Sequence, residues 1–266
     1  MNKTSTRVWQ SLLAVFCALV ALWLVAPSLV VIPLSLSDKP SFAFPPTGWS
    51  TRWYSNFFDD PSWLDALTAS LKVGLLVVVV ATVSGTAAAV ALTRSAFRGR
   101  QALRAVLLAP MIVPVIVVAI GLYALFLKAQ LLGTTFGFVV AHSVLALPFV
   151  VIPVTASLQG FDRRLENAAA ICGANRWATF RQVTLPLVAP GVLSGALFAF
   201  VTSFDEVVMS LFIQSPYLQT LPVKMYASVT RDTDPTIAAA ATLILALTTV
   251  ATLAATLYIA RRNRVR

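Results

Sequence analysis

Two acidic residues, Asp205 and Glu206, stand side by side in the apolar run FVTSFDEVVMSLF. An ionised carboxylate in a low-dielectric medium is costly unless it faces water, a partner or a permeation path, so acids in such a run are a functional expectation by default. The chemistry available to them is electrostatic: binding or steering a cation, with Phe204 immediately before them. The alternative is pairing with a basic side chain such as Lys224 or Arg231, or with a companion subunit. Covalent chemistry has no comparable support. The chain contains no GxxxxGK[ST] to cradle a phosphate, no HExxH and no GxSxG. Its one histidine, His142, lacks the companion ligands of a metal site and is expected to hydrogen-bond inside a helix bundle. No catalytic residue, metal or cofactor is therefore expected in this chain. Cys17 and Cys172 show no metal-ligand spacing, and both are read as unpaired packing residues.

The elements that must position the acids follow from composition. Of 266 residues, 58% are hydrophobic and 11% charged, with a mean hydropathy of +0.84, which excludes an ordinary soluble domain. The net charge of +10 admits a nucleic-acid partner, but Lys and Arg are confined to short connectors instead of spreading over one face, so membrane lipid and no nucleic acid is the reading. Six stretches reach the roughly 20 apolar residues that a span requires: 8–34, 68–92, 103–127, 135–157, 187–213 and 236–260. They far exceed the strands of a membrane barrel and must satisfy their own backbone groups, which makes them helices. The first follows Lys3 and Arg7 but is too long for a signal peptide and lacks a small-x-small cleavage site, so it is expected to be retained. Pro110, Pro114, Pro148 and Pro153 are expected to kink the third and fourth helices. On a straight fifth helix, Asp205 and Glu206 lie about 20 residues and about 30 Å beyond Pro186, near the outer edge of the hydrocarbon.

Lys and Arg counts orient the bundle. With the N-terminus inside, the inner side receives Lys3, Arg7, Arg94, Arg98, Arg100, Arg104, Arg163, Arg164, Arg176, Arg181, Arg261, Arg262, Arg264 and Arg266. The outer side receives only Lys39, Arg52, Lys72, Lys128, Lys224 and Arg231. The expectation is an all-α membrane protein, a single domain over 1–266 with six transmembrane helices, both termini cytoplasmic and 158–185 as a cytoplasmic loop. The long outer connector 35–67 carries Trp49, Trp53, Tyr54, Phe57, Phe58 and Trp63 and is read as an interfacial amphipathic segment. Its acids Asp38, Asp59 and Asp60, with Asp232 and Asp234 further on, are suited to a basic partner surface.

The cytoplasmic loop has the makings of a rigid lever. Residues 161–172 predict a short helix, with Asp162 as N-cap, Glu166 near the positive end of the dipole and Ala168 to Ala170 giving a surface without bulk. Gly173 permits a sharp change of direction, Asn175, Arg176 and Trp177 start a second helical segment, and Pro186 marks the start of the next span.

Ala168, Ala169, Gly173, Val183, Leu185 and Pro186 fall on the pattern Glu-Ala-Ala, three residues, Gly, nine residues, aliphatic, one residue, Leu-Pro. The loop thereby resembles the coupling loop of ATP-binding-cassette (ABC) importer permeases. The family's Glu is replaced by Asn167, with Glu166 one position earlier; neighbouring helical positions point about 100° apart, which leaves the polar contact open between them. The resemblance implies ATPase coupling through Glu166, Asn167, Ala168, Ala169, Gly173, Ala174, Leu185 and Pro186, and a substrate pathway at Phe204, Asp205 and Glu206. Residues 203–241 are similar to the spermidine/putrescine permease subfamily, in which Phe-Asp-Glu or Phe-Asp-Asp precedes a Leu-Pro or Met-Pro. That likeness implies a multi-pass protein of the bacterial inner membrane with the type I importer fold, its core module over about 66–260. It also implies a homologous second permease as heterodimer partner, two ATP-binding subunits that use ATP and magnesium, and a periplasmic or extracellular substrate-binding protein. Importers of amino-acid-like amines, opines, phosphonates or ferric ion share much of the pattern, and a channel or secondary transporter would need the polar path but not the loop.

Overall fold

The computed structural model describes residues 3–232 and 234–264, and every regular element among them is helical apart from two isolated β-bridges. In chain order these are α1 (Lys3–Ser35), α2 (Arg52–Asp59), α3 (Pro61–Arg94), α4 (Arg100–Leu108) with a 3-10 turn (Ala109–Met111), α5 (Val115–Ala129), α6 (Thr135–Gly160), α7 (Arg164–Ile171) and α8 (Arg176–Thr179). A π-helical turn (Phe180–Thr184) leads into α9 (Leu185–Phe204), followed by α10 (Val208–Ile213), α11 (Leu221–Ala227) with a second π turn (Ser228–Asp232), and α12 (Thr236–Arg264). Among the described residues, four helices are long and apolar enough to cross a membrane, and a fifth span arises if α4 and α5 count together.

Two of the expected spans are interrupted. The run 103–127 is not one kinked helix: α4 and α5 meet at 103°. The reason is the pair Pro110 and Pro114. Pro114 has no N–H, clashes with the preceding turn and sits at ψ 131° as the N-cap of α5, which ends the helical ladder instead of bending it. By contrast Pro148 and Pro153 stay inside an unbroken α6, where neighbouring helices can absorb the loss of two backbone donors. The run 187–213 also stops short, because α9 ends at Phe204 and a new helix begins at Val208. Asp205 and Glu206 therefore lie in a break and not on a continuous helix.

The chain divides into two compact units, 1–64 with 227–266, and 65–226. In the first, α12 packs on α1 and α2. Asn56 Nδ2 donates to Thr236 Oγ1 at 2.7 Å, Trp53 Nε1 donates to the Ser37 carbonyl at 2.7 Å, and the hydroxyls of Ser35 and Tyr54 are 2.7 Å apart. The aromatics expected to lie on the interface are thus mostly engaged by the protein: Phe57 and Trp63 are buried, while Trp49 and Phe58 remain exposed. Cys17 and Cys172 are free and exposed, so neither is the packing residue expected of it.

The second unit is built on the α6–α9 pair. Gly191, Gly195, Ala199 and Ser203 recur every four residues on α9 and are all buried. A Cβ at Gly195 would stand 3.0 Å from the Val150 Cα, so the small stripe is what lets α9 reach the α6 backbone. Close approach gives van der Waals contact that lipid cannot offer at the same density. One polar node crosses this core. His142 is fully buried on α6, with Nδ1 3.0 Å from Ser203 Oγ and Nε2 3.1 Å from Ser210 Oγ. The histidine is hydrogen-bonded within the bundle as expected, and its two partners flank the break after α9.

Candidate functional site

Two sites emerge in the second unit, an elbow from Asp162 to Pro186 and the break at Asp205–Glu206. The elbow begins with an Asx turn: Asp162 Oδ1 accepts the Arg164 N–H at 2.9 Å, so α7 starts at Arg164 and Arg163, not Asp162, occupies the cap position. At its other end the Gly173 N–H donates to the Ala170 carbonyl and the Ala174 N–H to the Ala169 carbonyl, both at 3.0 Å. This is the paired 5→2 and 6→1 closure of a Schellman cap, and it requires the left-handed residue that Gly173 supplies at φ +88°. The spacing of Ala169, Gly173 and Ala174 thereby has a local structural cause. Asn175 then caps α8, its Oδ1 accepting the Ala178 N–H at 2.8 Å.

From Arg176 the chain runs helically to Phe204, through the π turn and past Leu185 and Pro186. Pro186 cannot donate a backbone bond, and the wider turn lies directly before it. The return arm of the elbow and the long apolar helix are one rod. Asn167, Ala168, Ile171, Gly173 and Trp177 are exposed, and Ala169 and Ala174 are half-buried. Glu166 turns the other way. Its Oε2 forms an ion pair with Arg94 Nε at 3.2 Å, and its Oε1 accepts the Thr184 hydroxyl at 2.7 Å. Arg163 adds Nη2 contacts to the carbonyls of Thr93 at 3.3 Å and Arg94 at 3.5 Å. Arg94, Arg163 and Thr184 were invisible as a group in the sequence, where Arg94 and Arg163 are two more basic residues among many and nothing ties either to a threonine far along the chain.

At the break, Asp205 continues the last turn of α9, its N–H donating to the Val201 carbonyl at 3.0 Å. Its side chain is exposed, and among the described residues its carboxylate makes no hydrogen bond or ion pair. Glu206 is half-buried, and its Oε2 accepts the Met209 N–H at 2.9 Å, satisfying one of the free donors at the start of α10. Phe204 is half-buried and stacks on Phe200 with ring centroids 5.5 Å apart. The structure therefore keeps Phe204, Asp205 and Glu206 together and gives the two acids different work. Of the outer acids, Asp38, Asp60 and Asp234 accept local bonds from Thr47, Ser62 and Thr236.

The second unit thus carries a capped elbow feeding directly into a long apolar helix, with an acid-bearing break at the far end of that helix. Residues 81–265 match the family described as binding-protein-dependent transport system inner membrane component, and the chain belongs to that family. It is 36% identical over 245 residues to the spermidine/putrescine transport system permease protein PotC of Escherichia coli (strain K12), covering 91% of each chain. It is 32% identical over 230 residues to the putrescine transport system permease protein PotI of the same organism, covering 84% of this chain and 82% of that one. Among solved structures, a bacterial ABC transporter involved in import of the acidic polysaccharide alginate aligns with a TM-score of 0.75 at 16% identity, over 96% of this chain and 98% of the other. At that identity the likeness concerns the fold alone.

Proposed function

We propose that this chain is the permease subunit of an ATP-driven importer for a polyamine, putrescine or spermidine, or a closely related small amine. It spans the membrane six times, with α1, α3, the bent α4–α5 pair, α6, α9 and α12 as spans and both termini in the cytoplasm, as the basic residues favour. The elbow docks on a cytoplasmic ATPase that uses ATP and magnesium, and a second homologous permease completes the path. A substrate-binding protein delivers the solute from outside. Closure of the two ATPases pushes on α7, and the rod from Arg176 to Phe204 carries that displacement to the break. In this frame Asn167, Ala168, Ala169, Gly173 and Ala174 form the docking surface, while Leu185 and Pro186 anchor the lever. Asp205 presents a negative charge to the passing cation, with Phe204 beside it. The observation that carries the substrate class is the exposed, uncommitted Asp205 carboxylate at a helix break in a chain so similar to a spermidine/putrescine permease.

Uptake of radiolabelled putrescine, spermidine and γ-aminobutyrate into vesicles holding the assembled importer, with and without internal ATP, tests this. ATP-dependent uptake of the two polyamines is expected. Uptake of the amino acid alone would replace the substrate and keep the machine, and flux without ATP would point to a channel or secondary transporter.

A further inference from the structure

Glu166 lies on the helix offered to the ATPase, yet each of its carboxylate oxygens has a partner within the chain. One oxygen faces Arg94 Nε at 3.2 Å and the other takes the Thr184 hydroxyl at 2.7 Å. The side chains of Arg94 and Glu166 are only 15% and 21% exposed, which separates this pair from solvent-screened surface ion pairs such as Arg164–Asp162 at 4.0 Å. The Arg94 guanidinium also lies 4.6 Å from the centre of the Phe161 ring, and Arg163 reaches the last carbonyls of α3. Four segments meet here: the end of α3, the turn at Phe161, the first turn of α7 and the π turn before α9. The π turn is the one irregular link in the rod from Arg176 to Phe204. Thr184 closes it, and Glu166 holds Thr184.

We infer that Arg94 and Glu166 are positioning residues for coupling. They clamp α7 to the end of α3 and to the root of α9, so that both long helices move with α7 when the ATPase moves it. Glu166 then cannot serve as the acidic contact to the ATPase, because releasing it would strand a half-buried guanidinium. The polar group left for the ATPase is the exposed Asn167 amide, about 100° around the helix. The inference rests on the reading of the elbow as the ATPase dock.

The test is a charge swap in the full importer, purified with its second permease, ATPases and binding protein. Two quantities are read for each variant: ATPase recovered with the chain, and ATP hydrolysis with binding protein and putrescine present. Glu166→Arg and Arg94→Glu should each lower hydrolysis by about tenfold while ATPase recovery stays within about twofold of the parent, and the double swap should restore hydrolysis to within about threefold. The neutral pair Glu166→Gln with Arg94→Gln buries no lone charge, and it should do no worse than the poorer of its two single changes. Asn167→Ala should instead lower ATPase recovery. The inference is overturned if the swap restores nothing and the neutral losses simply add, or if Glu166→Arg alone sheds the ATPase while Arg94→Glu keeps it. A parent chain that recovers no ATPase would sink the docking reading itself, and this inference with it.

Discussion

The elbow and the break after α9 each contain two adjacent polar residues, and in each the structure divides the labour. Glu166 is drawn inward by Arg94 and Thr184 while Asn167 is exposed, and Glu206 is bound to the start of α10 while Asp205 is exposed. The elbow does this on a regular helix, where a one-residue step rotates a side chain by about 100°. The break does it by ending one helix on Asp205 and starting the next beyond Glu206. In both places one member of the pair holds the geometry that presents the other. Chemical type alone therefore says little about which neighbour meets a partner.

The comparison breaks most visibly at Gly173. Its left-handed φ closes the Schellman cap, and an added Cβ would meet nothing within 4 Å, so a substitution there tests backbone strain and not a clash. A β-branched residue in that region costs about 1–2 kcal/mol in a well-formed turn, and the cap would open to avoid it. Gly173→Val is expected to uncouple the importer, with ATP hydrolysis continuing and uptake falling by about tenfold or more. Normal coupled uptake in that variant would remove the elbow from the mechanism.

The break sharpens the contrast through two conservative changes. Asp205→Asn removes an exposed charge that holds nothing in place. It is expected to raise the KM for putrescine about tenfold, the loss of one charge-assisted contact, with thermal stability unchanged. Glu206→Gln keeps an acceptor for the Met209 N–H and should leave KM within about twofold of the parent, while Glu206→Ala lowers the melting temperature of the purified assembly through loss of a helix cap. Equal KM effects for Asp205→Asn and Glu206→Gln would mean that both acids face the solute and that the division of labour holds only at the elbow.

Much of this was legible before the fold was known, and the parts that were not share a cause. Gly173 and Asn175 act through their own backbones or within three residues, so their roles in capping can be read from spacing, whereas Pro186, expected to start the next span, lies inside a helix already running from Arg176. The α4–α5 break was announced by Pro110 and Pro114 but underestimated as a kink, because the same residue type is absorbed without interruption at Pro148 and Pro153. Nothing of that kind marks the end of α9. No glycine or proline stands there, and Asp205 keeps right-handed backbone angles. The bridges Glu166–Arg94 and His142–Ser203 join residues far apart in the chain, and their partners have no local signature. What the sequence hides is which polar residues tertiary packing consumes.

His142 supplies the smallest and most discriminating effect, since it supports the break as Arg94 supports the elbow but without charge pairing. A neutral imidazole donates from one nitrogen and accepts at the other, which suits hydroxyls on both sides of the break. His142→Ala removes both bonds and leaves a gap beside Phe138, whose ring centre is 5.6 Å from the imidazole. Ser203 can turn back to a carbonyl of its own helix, so the net loss should be near the low end for two buried hydrogen bonds, about 1–2 kcal/mol. The expected outcome is a lower melting temperature and a modest rise in the KM for putrescine, with His142→Asn recovering part of each. A stability loss with no change in KM would confine His142 to packing. The break would then stand on Glu206 alone, and the parallel with the elbow, where a distant residue sets the site, would fail at that point.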